Sequence, residues 1–134
     1  MKTVKMIIGI VVAVSTIALA EAPRDVKSAK TDWAAAERNY TKALTSENEG
    51  VRHSAASLIA EYKLSNCLNC LTNVLKNDKI EKVRMAVAYA LVSIGTHEAI
   101  EAVQEASLYD GSEKVAQFCD ALLAVNPHKV NAID

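Results

Sequence analysis

The sequence predicts an all-α fold, a short right-handed α-solenoid of antiparallel helix pairs, and three observations carry that prediction. The strings Glu49-Gly50-Val51-Arg52, Glu81-Lys82-Val83-Arg84 and Glu113-Lys114-Val115-Ala116 recur at a strict spacing of 32 residues. Within each interval the apolar residues fall on two stripes of helical period, so every unit contains two amphipathic helices. Helix-start residues punctuate the chain at the same interval. A unit of this size cannot bury its apolar stripe alone, and stacking like units solves that problem.

The first element stands outside the repeat. Lys2 and Lys5 precede an apolar run from Met6 to Ala20, broken only by Gly9, Ser15 and Thr16, and no acidic residue occurs before Glu21. This is the pattern of a secretory signal peptide. At about fifteen residues the run is shorter than the roughly twenty that span a bilayer. Ala18-Leu19-Ala20 fits the small-residue cleavage rule, whereas a cut after Ala22 would leave Pro23 in first position, so residues 1–20 are expected to be removed. The expected location is periplasmic or secreted, with no membrane insertion after cleavage; a retained anchor is the alternative.

Residues 21–45 follow as an N-terminal segment and capping helix, in which Trp33, Ala36, Tyr40 and Leu44 are spaced to share a face but match no full unit. Residues 46–134 form the repeat domain, with units at about 46–77 and 78–109 and a partial one at 110–134. The first helices carry Val51, Ala55, Leu58, Ile59 and Tyr62, then Val83, Val87, Leu91 and Ile94. The second helices carry Cys67, Leu68, Leu71, Val74 and Leu75, then Ala99, Ile100, Val103 and Ala106. Ser46 with Glu49, Asp78 with Glu81 and Asp110 with Glu113 resemble capping boxes at the helix starts. Gly95 can take the left-handed conformation that ends a helix, and Asn126-Pro127 stops the last one.

The stretch from Asp78 to Val103 resembles the HEAT-like repeats also found in phycobilisome lyases, most specifically in Val83-Arg84 before an Ala-rich helix and in Ile94-Gly95 before the second helix. The likeness covers roughly residues 46–126, with Glu49 to Asp78 a looser copy. It implies a solenoid whose second helices line the concave side and usually bind protein. It implies no particular chemistry, since this repeat serves scaffolds, adaptors, chromophore lyases and an iron hydroxylase alike. The chain departs from the pattern at Ala116, where Arg is usual, and at Lys63 and Pro127, which stand in the place of Gly95.

Composition narrows the function. A chain of 134 residues, 51 % apolar and 23 % charged, fits one globular domain and excludes disorder. Removing Lys2 and Lys5 from the 15 basic residues leaves 13 against 16 acidic ones, a net charge of −3, so nucleic acid is not an expected partner. Cys67-Leu68-Asn69-Cys70 is the sharpest local motif, because thiols at a helix start can have lowered pKa values and exchange with disulfides. The strand-helix-strand context of a thioredoxin is absent, and Leu71 rather than His follows Cys70, which removes haem attachment. In register Cys67 falls on Ala99, Cys70 on Ala102 and Cys119 on Ala55 and Val87, so buried small side chains are the leading account. A disulfide between Cys67 and Cys70, or from one of them to Cys119, stays open because export favours oxidation. His53, His97 and His128 lie on different elements, and Ser54 follows His53 where the related hydroxylase needs Glu, so no metal and no cofactor are expected.

The remaining clue is on the surface. Glu98, Glu101 and Glu105 are spaced three and four apart on a second helix, with Ser65, Asn69 and Asn73 in comparable places one unit earlier. These residues are the expected partner surface, a polar to acidic groove for another protein with a basic segment. The expected function is an exported protein-interaction module or scaffold without catalysis. Two alternatives stand beside it: a thiol-redox or lyase-type enzyme using Cys67 and Cys70, and a structural unit that assembles end to end.

Overall fold

The structure is a computed structural model and describes residues 30–127. The expected signal segment and His128 lie outside the described residues. Six α-helices follow in order: α1 Trp33–Ala43, α2 Glu49–Tyr62, α3 Leu68–Asn77, α4 Glu81–Ile94, α5 His97–Tyr109 and α6 Glu113–Ala124, with a 3-10 turn at Ser65–Cys67 leading into α3. Among the described residues there is no strand, and no helix is long and apolar enough to cross a membrane.

The helices alternate as the 32-residue register requires. First helices α2, α4 and α6 lie side by side, and each second helix packs on the first helix that follows it, α3 on α4 and α5 on α6. The core is built from small and branched residues: Ala56, Ile59, Leu71, Leu75, Val83, Val87, Ala88, Leu91, Ile100, Val103, Val115 and Cys119 are all buried. No polar or charged residue among those described is buried with them. Alanine on facing stripes lets helix axes approach closely, which is how a core almost without aromatic residues fills its volume.

The repeat also shows which way each position faces. Val83 and Val115 are 1 % and 0 % exposed, while Val51 in the same register is 43 % exposed. That stripe position therefore faces the preceding first helix, and among the described residues α2 has none in front of it. The shared burial that the sequence predicts for Val51 and Tyr62 thus fails: Val51 lacks a first helix before it among the described residues, and Tyr62 is 45 % exposed beside the Trp33 ring, 5.2 Å away. Conversely Ala56 and Ala88 are buried while Asp120 is exposed, so that position faces the following first helix.

Two turns repeat the same backbone device. Gly95 closes α4 at φ 72° and Lys63 closes α2 at φ 51°, both left-handed. Lysine is disfavoured there because its Cβ crowds the backbone. The Leu64 N–H bonds back to the Ile59 carbonyl at 3.2 Å and the Leu64 side chain is buried, the hydrophobic closure that accompanies such turns.

The capping boxes are not formed as the sequence suggests. Asn48 caps α2, its Oδ1 accepting from the Gly50 and Val51 amides at 2.8 and 3.3 Å, and Ser112 caps α6 through Val115 N at 3.4 Å. Helix α4 begins after Ile80 with no side-chain cap. Asp78 and Asp110 instead receive arginine. Arg52 donates from Nε and Nη2 to Asp78 at 2.6 and 3.1 Å, and Arg84 does the same to Asp110 at 2.9 Å for both bonds. A third guanidinium N–H reaches back, from Arg52 to the Ser46 carbonyl at 2.8 Å and from Arg84 to the Asp78 carbonyl at 2.7 Å. The guanidinium fork matches a carboxylate edge-on, and the same Oδ1 atoms also accept the Ile80 and Ser112 amides at 2.9 and 2.8 Å, two residues on, ahead of the helix starts. Ala116 ends the series.

Helix α1 matches a second helix once the register is shifted by one residue, to 31. Ala36, Tyr40 and Ala43 then fall on Cys67, Leu71 and Val74. It packs on α2 and on the 3-10 turn, as α3 packs on α4 and α5. The capping helix is thus a second helix without a first helix before it among the described residues.

Candidate partner-binding face

The outward positions of the second helices form one row. In the shifted register Arg38, Asn69 and Glu101 are equivalent, as are Lys42, Asn73 and Glu105, and all six are exposed. Along the stack the row runs from basic on α1, through amides on α3, to carboxylates on α5. The five residues singled out from the sequence, Glu98, Glu101, Glu105, Asn69 and Asn73, all lie on it, and Glu98 is exposed as well. Arg38 and Lys42 are missed in the sequence because the unshifted register sets Glu37 and Thr41 against Asn69 and Asn73.

Local contacts tie the row down without burying it. Lys76 Nζ on α3 meets Glu105 on α5 at 2.9 Å, and His97 Nε2 lies 3.1 Å from Glu101 one turn along α5. Asn77 Nδ2 donates to Asn73 Oδ1 at 2.9 Å, and Asn66 Nδ2 donates to Glu37 at 2.7 Å. Exposed pairs of this kind contribute little to stability, so these side chains can turn to a partner at small cost. Two open grooves flank the row. One of about 550 Å³ lies between α1 and the 3-10 turn, lined by Arg38, Thr41, Lys42 and Asn66. The other, about 480 Å³, lies between α3 and α5 and carries Leu75, Lys76, Glu105 and Tyr109.

The thiols sit beneath this face. Cys67 is buried with its Sγ 3.4 Å from Thr41 Oγ1 and 3.8 Å from the Glu37 carbonyl, and half-buried Cys70 points at the Thr41 carbonyl at 3.7 Å. All three cysteines are free thiols. Burial pushes the thiols of Cys67 and Cys70 up, the latter helped by its neighbour Cys67, and it pushes Cys119 up to about 11. Near neutral pH they stay protonated, the reverse of the lowered pKa that thiol exchange needs. No group of three or more His, Cys, Asp or Glu among the described residues converges on a metal-sized site.

A family model described as HEAT repeats matches residues 38–122. Nothing among curated proteins or solved structures matches the chain.

Proposed function

Because the chain belongs to the HEAT-repeat family, we propose that it is an exported protein-interaction module that holds another protein along the exposed row of its second helices. The observation that carries this reading is the graded row itself, ending in Glu98, Glu101 and Glu105 on α5. Carboxylates gathered on one helix face raise the negative potential there, which speeds encounter with a basic segment and sets its orientation. Helices packed at about 9 Å place α1 and α5 roughly 20 Å apart, so an extended segment of about six or seven residues crosses the row. Export is proposed from the lysine-flanked apolar run at the N-terminus. A thiol-redox or lyase-type enzyme at Cys67 and Cys70 has no observation in its favour beyond the motif.

The test uses a basic peptide of that length with its lysines confined to the half that would lie on α5, and an all-acidic one as its counterpart. Binding of the basic peptide should weaken as salt rises past about 0.15 M, and replacing Glu98, Glu101 and Glu105 by Lys should abolish it with the helical spectrum intact. The same change at Glu47 and Glu61, exposed elsewhere, should not. Equal loss from both variants, or equal binding of both peptides, would remove the row as the partner surface.

A further inference from the structure

The exposed apolar side chains of the stack gather at its two ends. Of the large hydrophobic residues left exposed among those described, Trp33, Val51 and Tyr62 lie at the α1–α2 end and Leu108, Tyr109 and Val125 at the α5–α6 end, with Tyr89 alone elsewhere. Apolar surface concentrated in this way marks a contact.

The two ends present opposite halves of a unit. Helix α1 is a second helix with no first helix before it, and α6 is a first helix with no second helix after it among the described residues. In front of α2 lies a groove of about 480 Å³, walled by Tyr40 and Ala43 of α1 and by Val51, Ser54 and Leu58 of α2. One unit later the equivalents of Val51 and Leu58, Val83 and Ala90, are buried where α4 packs on α2. The groove is therefore the seat of a first helix. In the 31-residue register that α1 keeps, the preceding sequence does not match a first helix, since Arg24 and Asp25 would stand in the places of buried Ala55 and Ala56.

We propose that this seat is filled by α6 of a second copy, so that the last first helix of one copy and α1 of the next complete one composite repeat. Such a contact continues the repeat interface inside the chain, where α4 packs on α2. The α6 positions that would face the seat are Ala116, Asp120, Leu123 and Ala124, standing where Arg84, Ala88, Leu91 and Val92 stand on α4. Leu123 and Ala124 keep the small-and-branched pattern. Asp120 replaces an alanine, and the seat in turn carries Ser54 where α4 carries Ala86, so each face gains one polar side chain able to hydrogen-bond. The arginine–aspartate pair also lapses on both sides together. Ala116 takes the arginine's place and Ser46 the aspartate's, so closure leaves neither half of that pair without its partner. Since one end meets the other, the contact is heterologous and repeats, giving open chains or a closed ring.

The contact engages the ends of the stack and leaves the second-helix row open to a partner. Its test is sedimentation of the full chain from about 1 µM to about 1 mM. The wild type should grow in mass with concentration. Val51→Arg and Ala124→Arg, both at exposed positions, should each be monomeric with unchanged helical spectra. Mixed together they should form a one-to-one dimer and nothing larger, because the mixture retains one intact junction. If Val51→Arg loses helix content, Ser54→Arg on the same face replaces it. A wild type that is monomeric throughout, a mixture that stays monomeric, or an Ala124→Arg protein that still associates would each overturn the proposal. Binding of the basic peptide by Val51→Arg separates this outcome from failure of the partner reading.

Discussion

Leu91→Ala tests the register at its centre. Leu91 lies in the middle of α4 with no exposed surface, and the substitution removes three carbons. At about 0.8 kcal/mol per buried methylene, transfer alone costs roughly 2.4 kcal/mol. A void adds about 24 cal/mol for each Å³ the neighbours fail to fill. The same core holds Ala56, Ala60, Ala88 and Ala90, whose methyl groups have no rotamer with which to reach into a void. The expected loss is therefore about 3 to 5 kcal/mol, read from urea unfolding followed by far-ultraviolet circular dichroism. An internal control comes from two valines in one register. Val83→Ala should cost about 1.6 kcal/mol plus its cavity, and Val51→Ala, already 43 % exposed, less than about 1 kcal/mol. A loss below about 1 kcal/mol for Leu91→Ala, or equal losses for the two valines, would refute the 32-residue register.

Acid should weaken the stack through Asp78. Burial alone would raise its carboxyl, but hydrogen bonds from the Arg52 guanidinium and the Ile80 amide outweigh that and hold it below the 3.8 of a free aspartate. A depressed carboxylate contributes stability that is present above its unfolded value and lost as pH falls through its folded value. Unfolding midpoints should thus decline below about pH 5, and Asp78→Asn should flatten that decline while lowering stability at neutral pH. In the reduced protein, half-buried Cys70 should react first with a thiol reagent at pH 7, and buried Cys67 and Cys119 only as the protein unfolds; all three reacting at the rate of a free thiol would contradict the packing. Intact mass of protein from its natural host should place the mature N-terminus at Glu21, and a full-length product would remove the proposed export.

The all-α repeat fold was legible because period and stripe are properties of spacing alone. Val83, Leu91, Leu71 and Ile100 are buried as their 3.6-residue spacing demands. What spacing cannot carry is a partner distant in the chain. Asp78 and Asp110 sit where a capping box would use them, yet each faces an arginine 26 residues away in the chain, and only the folded stack brings the two together. The burial of Val51 was misjudged for a related reason, since its helical position is right but its missing neighbour is a fact of the array. On the candidate face the acidic end was visible as Glu98, Glu101 and Glu105. The basic end was hidden because the chain from α1 to α2 is one residue shorter than from α3 to α4, which moves Arg38 and Lys42 out of the 32-residue alignment.

The arginine series bears on how the stack melts. In a linear array each unit touches only its neighbours, and such arrays come apart piecemeal unless the junctions couple strongly. Asp78 is shared: its carboxylate holds Arg52 of α2 and its carbonyl holds Arg84 of α4. Opening that one loop releases ties in both directions, so α2 through α5 are coupled into a single melting unit although no disulfide or metal joins them among the described residues. With Ala116 in the third place, α6 lacks the arginine clasp and keeps only apolar packing and the exposed bond from its cap, Ser112 Oγ to Glu81 at 2.6 Å. Loss of order should begin there and spread inward only when the Arg84–Asp110 clasp gives way.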